Sequence, residues 1–269
     1  MIGDAAPVDR QELHPRALAL ALRTEVAALA DAVDQARLGN PVPACPGMTV
    51  RDLVEHVTTV HRHVTRWVTG GARPSTGPAP DGPGPADTGP ADTDPADTDP
   101  ADDPVDRYRT GAASLLMVLD PARATATAPT WCPWDRTLGF WLRRMAHETA
   151  VHRVDVQAAN GRAAPLEPAL AADGVDEVLT LWLGCHQPPR AHTSGRAVAL
   201  RVPGREWTIA LHPGIVDFCP GATPDAVVSG SASDVDLWLW GRGDESALSV
   251  EGDVAAVRAL REAVAGVTV

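Results

Sequence analysis

The stretch Phe-Trp-Leu-Arg-Arg-Met-Ala-His-Glu-Thr-Ala-Val-His-Arg-Val-Asp-Val-Gln-Ala-Ala-Asn-Gly, from Phe140 to Gly161, decides the fold. It has no internal Pro or Gly, and Asn160-Gly161 is a helix stop, so it predicts one long helix over about 137–160. Glu148 and His152 are four residues apart, which places both side chains on one face, one turn above the other. A carboxylate and an imidazole stacked in this way can fill two positions on a metal ion. A third ligand must come from elsewhere, and His56 is the candidate. His147 adjoins Glu148 but sits about 100° round the helix, away from that ion.

Working outward, three more helices complete a set of four. From about Leu13 to Leu38, Leu18, Leu22, Val26, Leu29 and Val33 recur at three- and four-residue steps. Gly39-Asn40-Pro41 ends that helix, and a turn-rich connector with Cys45-Pro46-Gly47 follows. Thr49 reads as an N-cap with Asp52 three residues on, opening a helix to about Val68. Leu53, His56, Val57, Val60 and Val64 share its apolar face, so His56 points inward. A further helix is expected over about Pro104 to Leu119. Trp131 and Trp134, in the connector before the opening stretch, read as packing residues.

Between the second and third helices the texture changes. Residues 71–104 are Pro- and Asp-rich, with Pro-Ala-Asp-Thr repeated from Pro85. Too few apolar side chains are present to offset the entropy of ordering, so a disordered acidic insert is expected. Residues 81–106 carry nine Asp and no base; the chain's net charge of −12 becomes −3 without them. The acidity therefore belongs to one segment, and nothing points to a nucleic-acid surface. All 23 basic residues are Arg, which excludes Schiff-base chemistry on a Lys amine. Four scattered cysteines form no Cys-x-x-Cys pair and read as inert thiols of a reducing compartment. No signal peptide and no membrane-spanning run are expected, so the expected location is cytoplasmic.

Past Gly161 a second domain is expected, over 162–269, after a metal-binding bundle over 13–161. A helix from Leu170 to His186 leads into strands at Ala197–Val202, Trp207–Leu211 and Ala226–Ser229, separated by Pro-Gly turns. Ser231 to Trp240 and Asp253 to Val264 read as helices, with Gly241-Arg242-Gly243 breaking the first. The fold class is therefore α+β: an N-terminal four-helix bundle and a small mixed α/β domain. The even spread of apolar faces suggests a monomer or a weak dimer.

His56, Glu148 and His152 would supply two neutral nitrogens and one carboxylate, a set that suits Zn²⁺ among divalent ions. Three protein ligands leave a fourth position open, as in catalytic sites. The same residues also fit a buried polar cluster in which Glu148 pairs with Arg144 or His152. Asp155 is placed either to orient a ligand or simply to face solvent.

The run Cys45-Pro46-Gly47-Met48-Thr49-Val50-Arg51-Asp52-Leu53-Val54-Glu55-His56 resembles the first metal motif of the mycothiol-dependent maleylpyruvate isomerases of actinobacteria. Trp141-Leu142-Arg143-Arg144 and His147-Glu148-Thr149-Ala150-Val151-His152-Arg153-Val154-Asp155 resemble the second. Leu239-Trp240-Gly241-Arg242 and Val250-Glu251-Gly252-Asp253 resemble the family's C-terminal signature. Met48 and Val154 depart from it, standing where a Trp and an aromatic are usual. The resemblance implies a DinB-like bundle binding Zn²⁺ through His56, Glu148 and His152, and a sterol-carrier-like second domain. It places the family's essential arginine on Arg242, near a cleft between domains, and names mycothiol as the thiol cofactor. The implied partner is a small electrophilic substrate, handled by cis–trans isomerisation or S-transfer. A thiol-independent zinc hydrolase assisted by Asp155 or His147, and a non-enzymatic metal-containing binding module, remain the alternatives.

Overall fold

The computed structural model describes residues 12–70, 103–185, 195–212, 215–219 and 221–268. Residues 71–102 of the expected insert and His186 lie outside the described residues. The chain divides into two compact units. One gathers the described residues from His14 to Leu166; the other gathers those from Glu167 onward, with the segment at Leu13.

The first unit is a bundle of α1 (Pro15–Asp34), α2 (Val50–Gly70), α3 (Pro104–Val118) and α4 (Leu138–Ala159). The sequence starts each helix by local means. Pro15 and Pro104 occupy first-turn positions whose N–H needs no partner. The Asp103 carboxylate accepts from the Val105 N–H, and the Thr137 hydroxyl from that of Phe140. Thr49 and Asp52 form a reciprocal cap: Asp52 N–H donates to Thr49 Oγ1, and Thr49 N–H to Asp52 Oδ2.

Packing then sorts the helices. α1 lies against α4 and α2 against α3, with α2 also on α4. Leu22, Leu29, Leu53, Val57, Tyr108 and Leu115 fill the interior. α4 is the central helix, with buried residues on every face from Leu138 to Val156. A helix buried all round is ordinarily apolar, yet α4 hides Arg144, His147, Thr149, His152, Arg153 and Asp155. Arg153 is accounted for structurally. It pairs with buried Glu25 of α1 at 2.8 Å and donates to the carbonyls of Ala164 and Pro165. The others concentrate near the middle of α4.

The connector before α2 is tied to the far end of α4, where Asn40 Nδ2 donates to the Ala159 carbonyl at 3.1 Å. Gly47 takes a positive φ of 86° there, which turns the chain so that Cys45 faces inward toward α4.

The second unit begins with α5 (Pro168–Glu177), which continues through a π-helical turn at Val178–Trp182 into α6 (Leu183–Cys185). A single five-stranded sheet follows: β1 (Ala197–Val202), β2 (Arg205–His212), β3 (Ile215–Phe218), β4 (Ala226–Ser229) and β5 (Ser249–Gly252), in the order β3-β2-β1-β4-β5. β1 and β2 form a hairpin in which Val202 opposes Arg205 across Pro203-Gly204. β1 and β4 are parallel, and α7 (Ala232–Leu239) leaves β4 to pack on α5. α8 (Val254–Thr268) closes the unit against β1 and β4.

The three strands read from sequence are the inner ones; β1 and β4 have the expected extent, and β2 is longer by two residues at its start and one at its end. The sequence reading passed over β3 and β5, which form the two edges. All four residues of β5 are exposed, so no alternation marks it. Among the described residues, no helix is long and apolar enough to cross a membrane.

Candidate metal centre

α2 and α4 bring His56, Glu148 and His152 together, although 92 residues separate the first two. The Nε2 of His56 lies 3.3 Å from Glu148 Oε1, and the Nε2 of His152 lies 3.2 Å from the same oxygen. One donor atom from each residue falls within 4.8 Å of the others, the only such three-residue group among the described residues. The imidazole rings stand edge to face, with centroids 5.2 Å apart. Both are buried, each at 8% exposure. His147 is buried as well but stands outside the group.

Neighbours fix each of these side chains. Arg144, one turn before Glu148, donates to its second oxygen at 2.8 Å and leaves Oε1 facing the imidazoles. Asp155, 1% exposed, takes the His152 Nδ1 at 2.9 Å. An Nδ1–H held by a carboxylate presents the lone pair of Nε2, the usual way a ligating histidine is oriented. Cys45 Sγ lies 3.8 Å from the same Asp155 oxygen. His61, fully buried one turn beyond His56, meets Thr149 Oγ1 through Nε2 at 3.0 Å.

The electrostatics follow from this crowding. Burial works against the Glu148 charge, but His152, His56 and Arg144 outweigh it and hold the carboxyl well below its usual range. Burial also works against a charged His152, but Glu148 and Asp155 outweigh it and raise its pKa to about 9. His152 is therefore an imidazolium at neutral pH when no ion is present. His61 behaves oppositely: burial, reinforced by the charges of His152 and His56 against that of Glu148, lowers it to about 4 and leaves it neutral.

The two sequence readings of this cluster thus describe the same residues. Glu148 does pair with Arg144 and His152, as a buried polar cluster would. The same carboxylate oxygen is also the point on which two imidazole nitrogens converge. A polar cluster needs partners but does not need three potential ligands aimed at one spot. Two nitrogens and a carboxylate oxygen, one nitrogen set by a buried aspartate, fit a divalent ion such as Zn²⁺.

The fourth residue singled out from sequence, Arg242, belongs to the other unit. It follows α7 at the Trp240-Gly241 turn, where its Nη1 donates to the Trp240 carbonyl at 2.6 Å. His61, a wall of the cluster, has no local signal for that place, which depends on its contact with Thr149 of α4.

Fold and site together define a class: a four-helix bundle with a His/Glu/His centre, in one chain with a five-stranded α/β unit. The family model for the mycothiol maleylpyruvate isomerase N-terminal domain matches residues 19–157, and that for the MDMPI C-terminal domain matches residues 169–259. The chain belongs to the mycothiol maleylpyruvate isomerase family, a family of enzymes. Among solved structures, a mycothiol-dependent maleylpyruvate isomerase is similar at a TM-score of 0.58 and 16% identity, over 90% of this chain and 95% of that one. A single-residue variant of a mycothiol-dependent maleylpyruvate isomerase gives 0.56 and 15% over the same shares. At such identities the likeness is one of fold. No curated protein matches the sequence.

Proposed function

We propose that this chain is a metal-dependent enzyme that uses the thiol of mycothiol against a small electrophilic substrate. His56, Glu148 and His152 hold the ion, and Zn²⁺ suits their mixed nitrogen and oxygen donors. A divalent ion bound there would keep a thiol deprotonated near neutral pH, and so supply a nucleophilic sulfur for an electrophilic carbon. The observation that carries this reading is the convergence of three donor atoms within 4.8 Å from two helices.

The chain's own residues have definite tasks in it. His152 gives up its proton when the ion arrives, while Asp155 keeps Nδ1 protonated and the ring in place. Arg144 holds the outer oxygen of Glu148, which fixes the direction of the inner one. His61 stays neutral beside the centre and adds no competing charge. Arg242 holds a carboxylate or other oxygen of the substrate or cofactor, a role that suits its planar fork of donors. No cysteine of the protein is needed as nucleophile. A reducing, cytoplasmic setting belongs to the same proposal.

This residue set serves either a maleylpyruvate-type cis–trans isomerisation or an S-transfer, which differ in whether sulfur leaves the carbon again. The hydrolase reading loses one of its helpers, because the carboxylate of Asp155 is engaged with His152. The test is turnover of a maleyl-type diacid by metal-replete protein, with and without mycothiol. Activity that requires the thiol supports the proposal; equal activity without it rejects it.

A further inference from the structure

The connector between α1 and α2 is pinned at several points. Its two ends run side by side: Pro41 bridges Thr49, Val42 N–H donates to the Met48 carbonyl at 3.0 Å, and Val50 N–H donates to the Asn40 carbonyl at 2.9 Å. Within it, Cys45 N–H donates to the Val42 carbonyl and Met48 N–H to the Cys45 carbonyl. The Asn40 side chain fastens the segment to the end of α4, at the Ala159 carbonyl and at Asn160 Oδ1. A loop tied in this way holds the Cys45 side chain at one place against α4.

At that place it meets Asp155. The Asp155 carboxylate is buried, and one of its oxygens, Oδ2, takes both His152 Nδ1 at 2.9 Å and Cys45 Sγ at 3.8 Å. A thiol is a weak donor, and an ionised carboxylate is the acceptor that strengthens it. A line of contacts therefore runs from the connector through Asp155 to a residue of the triad. Cys45 is also partly buried against the apolar interior of the bundle. Its volume and its S–H are thus two separate contributions, and substitution can tell them apart.

We propose that Cys45 is a positioning residue of the metal centre, whose S–H holds the Asp155 carboxylate on His152 Nδ1 and so steadies the ring that presents Nε2 to the ion. This rests on the reading of His56, Glu148 and His152 as ligands given above and extends it one residue outward. The connector then serves both helices of the site: it leads into α2, which carries His56, and it braces the partner of His152 on α4.

The experiment is Zn²⁺ affinity of the full-length protein, by competition with a chromophoric chelator, for wild type, Cys45→Ala, Cys45→Ser, Asp155→Ala and the Cys45→Ala/Asp155→Ala double variant, each folded by circular dichroism. Cys45→Ala should weaken Zn²⁺ binding about three- to tenfold, less than loss of Asp155 itself. Cys45→Ser keeps a donor and should stay within about twofold of wild type. With Asp155 already gone, Cys45→Ala should add no further loss, because the contact through which it acts is absent. Imidazole NMR of the metal-free protein supplies a readout that needs no ion: the His152 Nδ1–H signal should shift in Cys45→Ala and hold in Cys45→Ser. A wild-type protein that binds no Zn²⁺ rejects the ligand reading by itself, and the NMR comparison then decides the role of Cys45 toward His152. Unchanged affinity in Cys45→Ala, an equal loss with and without Asp155, or a Cys45→Ser variant as weak as Cys45→Ala overturns the proposal; the last two would assign the effect to packing.

Discussion

At the scale of single residues, the centre is set by who holds whom. Asp155 touches His152 but none of the other proposed ligands in the triad, so its effect passes through the imidazole. Asp155→Ala should weaken Zn²⁺ binding by about 10- to 100-fold with the helices intact, as isothermal titration and circular dichroism would show together. His152 adds a pH dependence of known sign. Its raised pKa of about 9 means that the ion must displace a proton at any lower pH. Zn²⁺ affinity should therefore climb from pH 6.5 to 9 with release of a proton, readable as a buffer-dependent heat; a flat profile would contradict the pairing with Glu148. His61 predicts an acid-side effect in the metal-free protein. Its lowered pKa means that its contribution to stability is complete above its unfolded value near 6.5 and is lost as pH falls toward 4. Denaturant melts should show a decline on the order of 3 kcal/mol over that window, and a smaller one in His61→Phe.

At the scale of elements, two close approaches decide where helices sit. Thr49 and Asp52 close the start of α2, seven residues ahead of His56, through both a backbone and a hydroxyl contact. Thr49→Ala should cost about 1 kcal/mol of stability in urea melts and leave metal stoichiometry unchanged. On the other unit, α7 presses on α5 at Gly174, where an added Cβ would collide with the carboxylate of Asp236. Gly174→Ala should destabilise that unit by about 1–3 kcal/mol, since neither helix can retreat without losing its packing. Neither glycine contact nor helix pairing is written in local sequence. The capping box was legible because both of its members lie within four residues of each other.

For the whole molecule, what the sequence disclosed depended on where the signal was stored. The four bundle helices were legible because caps, stops and apolar periodicity are local. The triad was legible in part: Glu148 and His152 share a helical turn, whereas His56 joined them through an inward-facing position and a family resemblance. The pairing of Arg144 with Glu148 was legible too, because the two lie four residues apart on α4; His61 against Thr149 depends on how α2 and α4 pack, which no local pattern records. In the second unit β1, β2 and β4 carry buried apolar runs and were legible. The edge strand β5, exposed at all four residues, has no such signature; its Gly252 lies against Asp225 at a φ of 84°. Residues 71–102 hold too few apolar side chains to build a core. Replacing residues 71–102 with a short Gly-Ser linker should leave metal stoichiometry and thermal midpoint nearly unchanged while shifting the isoelectric point upward.

The central claim concerns one ion on three side chains, and metal analysis of the purified protein measures it directly. After Zn²⁺ loading and exhaustive gel filtration, the wild-type chain should retain about one equivalent by elemental analysis. His56→Ala, Glu148→Ala and His152→Ala, each folded by circular dichroism, should each retain less than about a tenth of that. Full retention of metal in the folded His56→Ala protein would contradict the account, because the ion would then sit somewhere that α2 does not reach.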